Sequence, residues 1–318
     1  MESVVHLNLI GPGFDNTGWK KAFFDNNFHE YQCIDWVKLK VKRGPSKMWD
    51  ILFRFLNKKK PDLLFMQIQT PGILTVEVAK RLKSLVKKTV LYNIDARTEE
   101  EAAWMYDVAP YLSFCALSNQ RDVDVINKIL PGRSVVVQSS CDMNYYNPGS
   151  FYIFKTGTDI VFLANNYQDT NRKFPLCNYR QSLVKKLYKW YPDKFKCFGR
   201  RQQEPMVSPY EEVRIYQQAK IAICCSNFDL PEYTSDRIWR AMACGCFVLV
   251  KYFDGIDSLF DISKHLDTWK TPEELKQKID YYLDHPIERS IYARQGCGHV
   301  RVNHNLSRRV DQIISQIY

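Results

Sequence analysis

The sequence predicts an α/β chain built from two doubly wound, Rossmann-like domains facing a cleft. Three observations carry that expectation. Short apolar runs alternate with helix-period segments through residues 4–138. A turn-rich stretch over 141–157, broken most strongly at Asn147-Pro148-Gly149, interrupts them. The alternation then resumes at Asp159, so the domains are placed at 1–150 and 151–318.

In the first half, 4–10 reads as a buried strand running into a glycine-containing loop, Gly11-Pro12-Gly13-Phe14-Asp15-Asn16-Thr17-Gly18. A helix starts near Trp19, and 31–37 is the second strand. Strand 61–68 ends in a Pro71-Gly72 turn that opens a helix over 73–88. Strand 89–94, helix 99–109, strand Phe114–Leu117, helix 120–130 and strand 134–138 complete a parallel sheet. The second half repeats the scheme with strand 159–163, helix 179–190, strand 194–198, helix 211–219 and strand 221–225. A helix-to-strand unit over 234–250 and a helical run from Pro272 close it.

The 318 residues are 45% hydrophobic and 25% charged, an ordinary globular composition with room for two cores. No window approaches the roughly 18 consecutive apolar residues of a membrane span. Met1-Glu2-Ser3 places an acid where a signal peptide carries lysine, which predicts a cytoplasmic address. Ten cysteines, mostly single among apolar neighbours, read as small core residues of a reducing compartment. Cys244-x-Cys246 lacks the spacing of a zinc site, so no metal is expected.

The formal charge is +10, with lysines concentrated at 38–47, 58–60, 83–88 and 185–196. Each cluster alone reads as a solvated helix face. Together with the interleaved Trp36, Trp49, Trp190 and Tyr191, they would also suit a polyanionic partner such as DNA.

Residues 234–250 are the most informative segment. Thr234, Ser235 and Asp236 suit a helix N-cap, and Ile238, Trp239 and Met242 follow at helical spacing. Gly245 closes the helix before the unbroken apolar strand 247–250. A helix start carrying Ser235, Arg237 and Arg240 in its first two turns is a seat for a phosphate or diphosphate. Arg240 has a second reading, pairing with an acid such as Asp229.

The second half resembles the CgeB-like, spore-maturation-protein type branch of GT-B glycosyltransferases, a branch that includes virus-encoded enzymes. The matching pieces run in order. They begin with Val161-Phe162-Leu163-Ala164-Asn165-Asn166-Tyr167, the Tyr179-Arg180-Gln181 helix, and a strand ending in Phe198-Gly199. The 234–250 unit, Gly255-Ile256-Asp257, Thr271-Pro272-Glu273 and His304-Asn305-Leu306-Ser307-Arg308-Arg309 follow. The resemblance implies a nucleoside-diphosphate sugar as co-substrate, with UDP favoured and no permanently bound cofactor. It implies donor contacts from Gly13, Asn165, Asn166, Arg180, Glu232, Ser235, Arg237 and Arg240. It also implies that the last helix crosses back to the first domain. In one respect the chain departs from it. Many GT-B enzymes carry two glutamates eight positions apart; here Glu232 fits the first and Arg240 stands at the second. Guanidinium only donates, so Arg240 suits a diphosphate and not ribose hydroxyls.

Two carboxylates compete as the base that takes the acceptor proton. Asp95 follows a parallel strand, where side chains face a cleft, and it equally suits an N-cap of helix 99–109. Asp15, in the glycine loop, is its rival. Asn165-Asn166 has an ordinary turn as its second reading. Asp122-x-Asp124 imitates a metal-binding acid pair, yet within a helix the two point to different faces. Gly11-x-Gly13 lacks the third glycine of a dinucleotide fingerprint, which sets aside a dehydrogenase with Asp35 on the ribose.

The expected function is transfer of a sugar to an acceptor hydroxyl, with a hydroxymethylated pyrimidine in DNA as the favoured acceptor. Protein or polysaccharide acceptors remain open. So does a non-catalytic nucleic-acid-binding protein on a degenerate GT-B scaffold. If virus-encoded, the protein would act in the host cytoplasm.

Overall fold

A computed structural model describes residues 3–9, 16–95, 97–149, 157–168 and 174–318. The chain forms two compact units, one of Met1–Asp142 with Leu306–Tyr318 and the other of Met143–Asn305. Both are α/β units with parallel sheets.

In the first unit the strands are β1 (Ser3–Asn8), β2 (Glu30–Asp35), β3 (Leu63–Met66), β4 (Lys88–Asn93), β5 (Phe114–Leu117) and β6 (Ser134–Val136). They lie in the order β2-β1-β3-β4-β5-β6. The helices between them are α1 (Asn16–Asp25), α2 (Trp36–Arg43), α3 (Pro45–Lys59), α4 (Val76–Leu85), α5 (Glu99–Val108) and α6 (Gln120–Ile129). Strand side chains alternate between two cores. Leu7, Leu64, Met66, Leu91 and Leu117 pack with Trp36, Trp49 and Leu52. Val4, Phe65, Val90, Tyr92 and Ala116 pack with Trp19, Phe23 and the C-terminal residues Val310 and Ile313. Burial on both faces is why these strands read as apolar runs without alternation.

The second strand stops at Asp35, two residues short of the sequence expectation, and two helices follow that the sequence reading did not place. The cause is local. The Asp35 carboxylate accepts the Lys38 N–H at 2.8 Å and caps α2, while Pro45 sits at the start of α3 after Gly44 at φ 78°. Asp35, weighed as a ribose ligand, is therefore occupied as a helix cap. Helix α4 likewise begins at Val76 because Thr75 caps it.

One buried group of this unit has a measurable consequence. His6 is fully buried against Trp19, Phe23 and Phe65. Its Nε2–H donates to Gln67 Oε1 at 2.8 Å, so its Nδ1 accepts from the Tyr31 hydroxyl at 2.9 Å. Burial drives its pKa from 6.5 to about 3. A depressed histidine pKa adds stability above pH 6.5 that is lost as pH falls toward 3. Unfolding free energy measured against pH should therefore decline below 6.5, and His6→Gln should flatten that slope.

The second unit contains β7 (Ile160–Leu163), α7 (Cys177–Trp190), β8 (Phe195–Phe198), α8 (Pro209–Gln218), β9 (Ile221–Cys224), α9 (Asp236–Ala243) and β10 (Phe247–Lys251). Then come α10 (Ile256–Leu259), β11 (Asp267–Trp269), α11 (Pro272–Asp284) and α12 (Pro286–Asn303). The sheet order is β11-β10-β9-β7-β8. Strand β11, absent from the sequence reading, is three residues long and pairs with β10 through Leu249–Asp267 to Lys251–Trp269. The helical run from Pro272 breaks at Pro286, whose missing N–H cannot continue α11. The final helix, α13 (Leu306–Ile314), belongs to the first unit.

Every cysteine except Cys33 is buried, and burial pushes the Cys225 thiol up to about 11 and Cys115 to about 12. They behave as core residues. Among the described residues, no helix is long and apolar enough to cross a membrane.

Candidate functional site

Helix α9 is built as its sequence suggests. Ser235 is the N-cap, its hydroxyl accepting from the Arg237 N–H at 3.5 Å. At the other end Gly245, at φ 69°, donates to Met242 O and Cys246 donates to Ala241 O, a Schellman closure. The closure turns the chain directly into β10, which is buried from Phe247 to Val250. Helix and strand are thereby fixed to one another, and the start of α9 lies at the carboxyl ends of β9 and β10. A pocket there is lined by Leu176, Ser226, Asp229, Ser235 and Lys251.

The charges around this helix start divide into two groups. Arg240 donates to Glu212 Oε2 at 3.2 Å and to Asp236 Oδ2 at 2.7 Å, and Tyr146 donates to the same Glu212 oxygen at 3.1 Å. Arg240, expected on the diphosphate, is thus committed to two carboxylates. Asp229, considered as its partner, instead accepts from Lys251 at 3.2 Å. Burial raises the Asp236 carboxyl, but Arg240 and Arg237 together hold it below its ordinary range.

Arg180 and Arg237 form the second group. Arg180, on the first turn of α7, is 3% exposed and lies over the Phe162 ring. Its Nη1 donates to Asn227 Oδ1, and its buried Nε has no hydrogen-bond partner. No carboxylate pairs with it among the described residues. Burial lowers its pKa, and the charge of Arg237 lowers it further. Cys225, beside it, stays a neutral thiol at neutral pH and offers no compensation. Arg237 is one-third exposed, donates to the Ser235 hydroxyl at 3.1 Å and stands 3.7 Å from Asp236.

Asn165 and Asn166 follow β7 and hold a turn. Asn165 Oδ1 accepts from the Arg200 N–H at 2.9 Å and its amide donates to the Tyr167 hydroxyl at 3.1 Å. Asn166 Oδ1 accepts from the Gln168 N–H at 3.0 Å. Glu232 is in the left-handed region at φ 56°, half-buried, with its N–H on Asp254 O. Asn227 and Lys251 were missed from sequence; each ends or follows a parallel strand, the signal that could have found them.

In the first unit, Asp95 lies two residues beyond β4, 45% exposed, and accepts from Arg97 Nη2 at 3.0 Å. It is not the cap of α5, since Thr98 takes that place. Gly13 and Asp15 lie outside the described residues. Asp122 is buried and accepts from Tyr106, Asn119 and Arg121, while Asp124 accepts from Gln120. Among the described residues no three His, Cys, Asp or Glu side chains gather as metal ligands do. His304 caps α12 and stacks on Trp239 at 4.6 Å, so it precedes the last helix and does not belong to it. Arg309 does lie in α13, where it donates to Ser139 O at 3.3 Å.

Residues 172–315 match the family model described as "Glycosyl transferase-like". No curated protein sequence matches the chain. Among solved structures, HepE of Anabaena in complex with UDP-glucose is similar at a TM-score of 0.61 and 11% identity, covering 99% of each chain. Sucrose-phosphate synthase of Thermosynechococcus elongatus is similar at 0.63 and 10%, covering 100% of this chain and 98% of that one. A glycosyltransferase of Rickettsia africae gives 0.62 and 12%, covering 98% and 96%. The fold is that of the GT-B glycosyltransferases, and residues 172–315 carry the glycosyl transferase-like sequence on it.

Proposed function

We propose that the chain transfers a sugar from a nucleoside diphosphate, with UDP favoured, to an acceptor hydroxyl. The observation that carries this reading is Arg180, a buried guanidinium with no carboxylate partner among the described residues, next to the Ser235 helix start. A buried cation without a counter-charge is costly, and a diphosphate would supply the missing anion. In the transfer, the bond from the anomeric carbon to the diphosphate oxygen breaks and one to the acceptor oxygen forms. Arg180, Arg237 and the amides at the start of α9 meet the charge that develops on the leaving group. Glu232, Asn165, Asn166 and Gly13 are proposed around the rest of the donor. Asp95 or Asp15 is proposed to take the acceptor proton. Arg240 acts behind them by holding Asp236 in place.

HepE, bound to UDP-glucose in the structure cited above, supports UDP as the nucleotide. A hydroxymethylated pyrimidine in DNA, with kinship to CgeB-like and virus-encoded enzymes, draws its support from the +10 charge and the order of motifs. A non-catalytic nucleic-acid-binding role draws on the arginine at the second glutamate position. Labelled UDP-sugars offered with hydroxymethylated DNA, plain DNA and oligosaccharides test all three. Transfer to any of them is expected, accompanied by a rise in melting temperature with UDP. Neither transfer nor UDP stabilisation would leave only the binding-protein reading.

A further inference from the structure

The amino ends of the first unit's strands form an edge of their own, away from the carboxyl ends where parallel sheets take their small ligands. Ser3 pairs with Glu30, Val4 with Leu63, Leu63 with Lys88, Val90 with Phe114 and Cys115 with Ser134, so the six strand starts lie in line. At about 4.8 Å between neighbouring strands, the line runs roughly 24 Å. Two open concavities follow it. One, beside the starts of β2, β1 and β3, is lined by Lys20, Lys59 and the acid Glu30. The other, beside the starts of β4, β5 and β6, is lined by Lys83, Lys87, Lys88 and Arg133, and its described lining holds no acid. Asp62 precedes β3 and accepts from Lys87 at 2.6 Å. Even with Glu2, which precedes β1 in the sequence, added to Glu30 and Asp62, these cations outnumber the acids two to one.

The fold itself explains part of this charge. Lys59 and Lys83 sit in the last turns of α3 and α4, where the carbonyl ends of the helices favour cations. Lys88 and Arg133 sit in no such turn. Lys88 opens β4, and Arg133 Nη1 donates to Ser113 O at 2.9 Å and Leu112 O at 3.3 Å, which holds its guanidinium over the start of β5. Neither has a carboxylate partner among the described residues. Aromatic rings stand beside the lysines. Lys20 Nζ is 5.4 Å from the centre of the Phe24 ring, Lys80 Nζ 5.1 Å from that of Tyr111 and Lys88 Nζ 5.8 Å from that of Tyr318. Phe24 is 43% and Tyr318 56% exposed.

We infer that this edge binds single-stranded nucleic acid. A row of cations tracks a phosphate backbone, and exposed rings offer faces on which unpaired bases stack. Because each ring has a lysine beside it, a base stacked there brings its own phosphate to a cation. A duplex, whose bases already stack on one another, has no use for the rings. The inference gives the nucleic-acid part of the proposed function a place on the molecule, and it does not rest on sugar transfer.

The test is fluorescence anisotropy of a labelled oligothymidylate of about 20 nucleotides with the full chain, repeated with a duplex of equal length and over a range of salt. The strand should bind more tightly than the duplex. Lys88→Gln/Arg133→Gln should weaken strand binding roughly ten-fold and make the slope of log K against log salt shallower by about 1.4, the share of two phosphate contacts. Phe24→Ala/Tyr318→Ala should weaken it by a similar factor at an unchanged slope, because stacking releases no counterions. Lys185→Gln/Lys189→Gln, on α7 of the second unit, should bind as the wild type does. No binding of the strand, full binding by the edge variants, or a duplex held as tightly as the strand overturns the inference. Thermal shifts with UDP, read in the same proteins, should be alike and show that the variants are folded. Loss of the UDP shift beside edge-dependent strand binding would strike the transferase reading alone. A UDP shift without strand binding would strike this inference alone.

Discussion

Arg180→Met is expected to raise the melting temperature of the unliganded protein while weakening UDP binding by roughly 10- to 100-fold. The two effects have one origin. Among the described residues, the Asn227 side-chain carbonyl and the Phe162 ring are what answer the charge of Arg180 at 3% exposure. Replacing a poorly compensated buried charge by an apolar side chain of similar length is neutral to stabilising. Asn227 is half-buried, so water can take over the hydrogen bond it loses. The charge is retained for the ligand, and its removal takes away a charge-assisted contact to the diphosphate. Thermal unfolding without ligand, paired with calorimetric titration of UDP, reads both. A clear loss of stability with unchanged UDP affinity would make Arg180 a packing residue and remove the main support for the donor site.

Arg240→Leu is expected to do the opposite, destabilising the protein by about 3 kcal/mol. Here the arginine has partners, and its loss takes the shared cation from the carboxylates of Glu212 and Asp236. Arg240→Lys should recover part of the loss by keeping one of the two ion pairs. The pH dependence adds a second readout. The Asp236 carboxyl is held below its ordinary range, so its contribution is present above the ordinary aspartate pKa and is lost as pH falls through the folded value. Denaturant unfolding from neutral to acid pH should show that decline in the wild type and a flatter curve in Arg240→Leu.

What could be read from the sequence was what local chemistry decides. The α9–β10 unit was legible because a cap, a helical period, a glycine and an apolar run all fall within seventeen residues and agree. The paired sheets were legible because strands buried on both faces leave unbroken apolar runs. Helices α2 and α3 were lost among their lysines, although Met48, Trp49, Leu52, Phe53 and Leu56 fall on one buried face. The fate of Arg240 was not legible, because Glu212 lies 28 residues away and only the packing of α8 on α9 brings it close. Arg180 was named, but nothing in Tyr179-Arg180-Gln181 says that the guanidinium is buried or lacks a carboxylate.

The first unit is discontinuous in the chain, and that dictates an order of events at the ribosome. Leu306, Val310, Ile313 and Ile314 close the core around Trp19 and Phe23, yet they are translated only after the whole of the second unit. The second unit, being contiguous, can complete itself as it emerges, whereas the first must wait with an aromatic cluster unsealed. The final helix is therefore a latch: a nascent chain released before it is made keeps a whole second unit and an unfinished first one.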